Sequence, residues 1–300
     1  VLHVLNGDAT LAVFPSTLPG HRGVWRDIMV EGPPVDDGAA RAAWLAPRLG
    51  VMPAEYERGW RDGHALLAHA ADDDDVVLWF EQDLFCAINL WFVMARIPPT
   101  TRLSLVFPPL AETFDGLGSS TAEHLTELFE HRRAVDQRTR AEAEALWRAY
   151  AASDPTRLLA MTTELDFAPE AVRLHVGRFP SMANGLDEIE AATLSALGTA
   201  ARTFGDLFRA VTHAPPHRRH GMGDVQFAAL LRDLRPLVRI DDPAAPFGTW
   251  RLALGPEGGE VLAGRLDGLA PRALDRWLGG VHLGPGAAHW RRDGDRLVRR

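Results

Sequence analysis

Three short polar clusters carry the residue types that could do chemistry in this chain: Asn6-Gly7-Asp8, the set Arg26, Asp27 and Glu31, and Glu81-Gln82-Asp83. Carboxylates gathered in one crevice cannot all ionise freely. One is then pushed to a raised pKa and can act as an acid, while a neighbour stays a base or nucleophile. On this reading Glu81, Asp83 and Asp8 are the candidate catalytic residues, with Glu81 or Asp83 as base or nucleophile and Asp8 as an orienting or metal-binding group. Asn6, Gly7, Arg26, Asp27 and Glu31 are the candidate ligand-binding residues, Arg26 acting as a clamp for an anion or carboxylate. The same oxygens could coordinate a hard cation such as Mg²⁺. Each residue also has a local use: Asp8 holding a turn or capping a helix, Asp27 pairing with Arg26, Asp83 capping a helix that begins at Leu84.

What would bring the clusters together is a parallel sheet. Leu2-His3-Val4-Leu5 is a short apolar run ended by a turn, and Gly23 to Val30 is a second, broken at Arg26-Asp27. Ala39–Leu49 and Ala54–Ala70 have helical apolar spacing. Val76 to Phe80 is a near-continuous apolar run of the kind that forms a buried central strand, Leu84 to Met94 is helix-like, and Leu103 to Phe107 is a fourth strand. Strands alternating with helices predict an α/β fold, Rossmann-like, over residues 1–118. Ligands bind such sheets beyond the carboxyl ends of the strands, where all three clusters fall.

The composition narrows the chemistry. The 300 residues contain no lysine, so a lysine-linked pyridoxal phosphate and a phosphate-loop lysine are excluded. Cys86 is the single cysteine, which excludes a cysteine-based zinc site, an iron–sulfur cluster and an internal disulfide. No G-x-G-x-x-G follows a strand. His64 and His69, five apart, point roughly 140° apart on a helix and share no face for a metal. Asp72 to Asp75 reads as a solvated loop, and Asp115 to Ser120 as a linker whose backbone amides could hold an anion. No apolar run is long enough for a membrane helix, and Val1-Leu2-His3-Val4 has no basic stretch of the signal-peptide kind, so a cytoplasmic location is expected.

The remainder reads as three parts. Residues 119–185 form a helical segment with helices from Ser120 towards His131, over Gln137–Tyr150, after Ser153-Asp154-Pro155 and over Pro169–Val176. Residues 186–268 place three helices before two short strands, Val238–Ile240 and Trp250–Leu254, in the order of a winged helix. Residues 269–300 form a closing tail. Residues 1–118 hold 8 Arg against 16 acids, and residues 186–268 hold 9 against 11, which argues against nucleic acid and anionic membranes as partners. The basic loop His217-Arg218-Arg219-His220 is the one stretch suited to phosphate. The expected partner is a small polar molecule, with a protein partner for the winged helix as a further expectation.

Several motifs in order are shared with one bacterial family. Leu2-His3-Val4-Leu5-Asn6-Gly7-Asp8, Val24-Trp25-Arg26-Asp27-Ile28 with Glu31-Gly32-Pro33, and Val77 to Phe85 resemble domain-of-unknown-function family 1835. The likeness continues through Gly116-Leu117-Gly118, Arg178-Phe179-Pro180-Ser181, Met222-Gly223-Asp224 and Asp275 to Leu283. It implies shared architecture and no particular reaction. Its polar positions correspond to Asn6, Asp8, Arg26, Asp27, Glu31, Glu81 and Asp83; Met182-Ala183 stand where the family tends to have Thr-Arg. The function expected from all this is binding of a small polar ligand, with hydrolysis or group transfer by carboxylates as the enzymatic form. A ligand-responsive regulator or protein-interaction module is the alternative.

Overall fold

The computed structural model describes residues 1–73, 75–111, 114–198, 200–284 and 290–300. Two compact units divide them, Val1–Ala152 with Arg157–Ala171, and Ser153–Thr156 with Val172–Arg300.

Unit one is built on strands β1 (Leu2–Asn6), β2 (His21–Trp25), β3 (Val76–Trp79), β4 (Leu103–Val106) and β5 (Arg133–Val135). The first four are parallel, in the order β2-β1-β3-β4, and β5 runs antiparallel along β4. Every residue of β3 and β4 is buried, as the unbroken apolar run 76–80 requires of a strand covered on both faces. After β1 the chain adds β2 on one side and β3 on the other. The order therefore switches between β1 and β3, and in open α/β sheets the carboxyl ends at such a switch are where ligands bind.

Helices α1 (Asp8–Val13), α2 (Gly38–Leu49), α3 (Pro53–His69), α4 (Leu84–Arg96), α5 (Ala122–Glu130) and α6 (Gln137–Tyr150) flank the sheet. One face is sealed by Leu5, Phe14, Val77, Trp79, Val106 and Leu125. Helix α4 is buried at every position from Cys86 to Met94 and packs on α6, where Phe92 meets Trp147 edge-on with ring centres 4.8 Å apart. Inside the sheet, Trp79 Nε1 donates to His3 Nδ1 (3.1 Å), so His3 Nε2 carries the proton and donates to the Pro19 carbonyl (3.1 Å).

Three elements differ from the sequence expectation. The second strand is His21–Trp25 and not Gly23 to Val30: the chain leaves the sheet at Asp27, whose carboxylate accepts from the Ile28 N–H (2.7 Å). Helix α1 begins where only a turn was expected. Strand β5 lies within the stretch read as helical, and its three residues are too few to show an alternating pattern.

Helices α7 (Thr156–Leu159) and α8 (Ala168–Gly177) follow. Unit two then runs α9 (Glu188–Leu197), β6 (Arg202–Thr203), α10 (Phe204–Thr212), α11 (Asp224–Asp233), β7 (Val238–Ile240), β8 (Arg251–Leu254) and α12 (Pro256–Leu262). The three strands form an antiparallel sheet in the order β6-β8-β7, over a core that includes Leu207, Phe227, Leu231 and Trp250. Two hairpins close the chain, β9 (Arg276–Leu278) with β10 (Val281–Leu283) and β11 (Trp290–Asp293) with β12 (Arg296–Arg299).

The stretch from 269 is anchored in the interior of unit two. Asp187 caps α9 in a reciprocal box with Glu190, and both carboxylates are buried. Arg272 reaches Glu190 (2.7 Å); Arg276 reaches Asp187 (2.6 Å) and Glu190 (2.8 Å). Burial works against charge on Glu190, yet the two guanidiniums hold its pKa down to about 2.

Candidate functional site

Glu81 and Asp83 follow directly on β3, and Asn6 ends β1, so the pairing of these strands brings them together at the carboxyl edge of the sheet. Asp83 starts α4: its carboxylate accepts from the Cys86 N–H (2.7 Å), the capping role its position suggested. Cys86 lies against the end of β1, where its Sγ accepts from Asn6 Nδ2 (3.1 Å). Oxygens of Glu81 and Asp83 and the Cys86 sulfur all lie within 4.8 Å of one another.

Burial, and then the charge of Glu81, push the Asp83 carboxyl up to about 8, so it keeps its proton at neutral pH. Burial also pushes the Cys86 thiol well up, seconded by Asp83 and Glu81. A protonated carboxyl beside an acceptor carboxylate is the arrangement of a general acid and base. Two carboxylates at this spacing are also a partial shell for a hard divalent cation, which would displace the Asp83 proton on binding. The thiol is a poor ligand for such an ion.

Glu81 is seated by the glycine-containing loop after β4. Its Oε1 accepts from the Leu117 N–H (2.7 Å). Gly116 has φ 113°, and a Cβ there would come within 2.6 Å of Glu81 Oε2. The stretch read as a linker with anion-holding amides therefore holds an anion that belongs to the protein. Gly118 packs on Ala9, which brings the start of α1 against the same loop. Gly7, at φ 100°, turns the chain from β1 into α1, and its N–H donates to the Trp25 carbonyl (3.1 Å).

Asp8 and Arg26 answer each other. Arg26 Nε and Nη2 donate to the two Asp8 oxygens at 2.8 and 2.7 Å, a bidentate pair with both side chains exposed. The hydrogen bonds from Arg26 hold the Asp8 carboxyl below its ordinary value.

Asp27 does not pair with Arg26. It is buried, and Arg41 donates to it through Nε (3.0 Å) and Nη2 (2.9 Å), with the Tyr56 hydroxyl at 2.5 Å. Arg41 also binds the carbonyls of Pro33 (2.7 Å), Ile28 (3.0 Å) and Glu31 (3.3 Å). Asp27 and the Glu31 backbone thus belong to a buried ionic knot that fixes the turn after β2, while Glu81, Asp83 and Asn6 gather with Cys86 at the ends of β1 and β3. One residue connects them. Asn89, on α4, accepts from the Met29 N–H (2.9 Å) and donates to the Asp27 carbonyl (3.1 Å) and to Asn6 Oδ1 (2.9 Å).

Asn89, Arg41 and Tyr56 were not singled out from sequence as functional. Asn89 was findable, as the one amide in the apolar run 84–94. Elsewhere, Asp73 pairs with the amino group of Val1 (3.3 Å) and Asp75 with Arg102 (3.9 Å), while Asp74 lies outside the described residues. His220 of the basic loop is buried, 3.9 Å from Glu188, and is no part of a solvated surface. Among the described residues no helix is long and apolar enough to cross a membrane.

The chain matches no protein-family model and no curated protein sequence.

Proposed function

We propose that unit one binds a small polar molecule in the crevice between β1 and β3 and works on it by carboxylate chemistry, as a hydrolase or group transferase. The observation that supports this reading best is the pair Glu81 and Asp83 at the strand-order switch, their oxygens within 4.8 Å of each other, the first held by a backbone amide and the second buried at the start of α4. Glu81 is the base or nucleophile, and Asp83 holds a proton beside it. Asp8 and Arg26 form a rim in which Arg26 is free to exchange its exposed partner for an anionic group of the ligand. Mg²⁺ is the cation the two carboxylates would take. The ordered motifs also support kinship with domain-of-unknown-function family 1835.

The test is calorimetric titration with Mg²⁺ and Mn²⁺ alone, followed by turnover of p-nitrophenyl phosphate and p-nitrophenyl acetate with each metal. Binding or turnover that Glu81→Gln abolishes and Asp8→Asn weakens is expected. Retention of both in the two variants, or neither in the unaltered protein, refutes the assignment.

For unit two, the helix–strand order and the sheet order β6-β8-β7 support a winged-helix reading. A protein contact suits it better than DNA. Helix α11 offers Asp224 and Asp233 with one arginine, Arg232, whose guanidinium lies over the Trp250 ring (4.9 Å).

A further inference from the structure

The carboxyl edge of the sheet in unit one carries a second concavity, of about 310 Å³, where the β4–β5 pairing ends at Leu105 and Arg133. That volume is at the lower end of small-molecule pockets, which span about 300–1,000 Å³. Phe107 and Pro108 give it apolar walls, and its polar groups are Gln82, His131, Arg133 and Asp166.

These groups differ in what they have left to offer. Gln82 Nε2 is committed to the Phe107 carbonyl (3.0 Å). His131 Nδ1 is committed to the Glu127 carbonyl (2.8 Å), which puts the proton on Nδ1 and leaves Nε2 facing no partner among the described residues. Arg133 uses Nη1 on Asp166, and its Nε and Nη2 have no partner among the described residues. Nε and Nη2 form one edge of a planar guanidinium, the geometry that receives a carboxylate or phosphate bidentately. Both members of the Arg133–Asp166 pair are about half exposed, so the pair contributes little stability and its rearrangement costs little. Arg133 and Asp166 also line a neighbouring cavity of about 240 Å³, so their pair forms a wall shared by the two.

We propose that the cavity binds a small organic anion, its oxyanion group on Nε and Nη2 of Arg133 and its flat apolar body against Phe107 and Pro108. Asp166 keeps the arginine oriented and tempers its charge. The assignment does not depend on what the crevice at Glu81 binds.

Benzoate and phenyl phosphate are the probes, with benzamide as the uncharged control, titrated by ligand-observed NMR and calorimetry. The unaltered protein is expected to bind at least one anion and to prefer it to benzamide. Arg133→Gln weakens that binding by about tenfold or more, the scale of a lost charge-assisted hydrogen bond. Asp166→Asn tightens it, because the arginine loses its internal counter-charge. Glu81→Gln leaves it unchanged, which separates this site from the crevice. No binding of either anion, equal binding of benzamide, or an Arg133→Gln variant that binds as before overturns the proposal. So does weaker binding in Asp166→Asn.

Discussion

Asn89 Nδ2 lies 2.9 Å from Asn6 Oδ1, a hydrogen bond that ties the end of the first strand to the helix following the third. Through its other contacts the same amide holds the Met29 N–H and the Asp27 carbonyl. Replacing Asn89 by Leu, similar in volume, leaves these buried groups without their partner. The expected loss of stability is about 2–4 kcal/mol, from one to three kcal/mol for each orphaned group with partial relaxation. Urea unfolding measures it, and a loss under 1 kcal/mol would show that the staple is dispensable.

The knot at Arg41 makes a second, signed prediction. Arg41→Met leaves the Asp27 carboxylate buried without its guanidinium, at a cost of about 3–5 kcal/mol. Adding Asp27→Leu removes the orphaned charge and recovers part of that loss. A double variant less stable than Arg41→Met alone, measured by the same denaturation, contradicts this account.

Gly116 and Gly7 share a backbone region closed to other residues, yet their surroundings differ. Alanine at either costs about 1–3 kcal/mol of strain. At Gly7 a Cβ meets nothing within 4 Å, whereas at Gly116 it collides with the Glu81 carboxylate. Gly116→Ala alone should therefore break the Glu81–Leu117 hydrogen bond, read as an upfield shift of the Leu117 amide proton. Equal shifts in both variants would mean that Gly116 does not seat Glu81.

His175 sets a pH dependence. Burial, seconded by Arg178, pulls its pKa down to about 3, whereas an unfolded imidazole titrates near 6.5. Between these values the unfolded chain binds a proton that the folded protein refuses. Stability from this group is therefore full above pH 6.5 and falls as pH drops, by up to about 1.4 kcal/mol per pH unit. Urea midpoints at pH 7, 6, 5 and 4 should show a shallower decline for His175→Leu than for the unaltered protein. Parallel profiles would remove His175 from the explanation.

Cys86 should be chemically quiet despite its place beside Glu81 and Asp83. Its thiol is buried and its pKa is raised, so little thiolate exists at pH 8. Ellman's reagent is expected to react slowly with the folded protein and promptly in urea. Fast reaction in the folded state would show that the crevice is open to bulky reagents.

Much of unit one was legible because its signals are local. The apolar run at Val76 and the Ala/Glu/Arg-rich period over Gln137–Tyr150 announce a buried strand and an amphipathic helix. Glu81 and Asp83 followed, since a residue next to a strand end is located by the strand. Asp27 shows where this reasoning stops. Its neighbour in sequence is Arg26, but its partner is Arg41, and that choice is made by the packing of α2 and α3 against the turn. Glu81 and Leu117, 36 residues apart, meet for the same kind of reason. Strand β5 was hidden because it exists only by pairing with β4.

The way Arg272 and Arg276 reach Asp187 and Glu190 has a consequence for biosynthesis. During translation the carboxylates of Asp187 and Glu190 leave the ribosome more than eighty residues ahead of the cations that neutralise them. Until then, two carboxylates destined for the interior must stay in water, and the layers above them cannot close. Unit two is therefore expected to acquire its final packing late, after residue 276 has been made, and a chain stalled before that point should be readily digested by proteases.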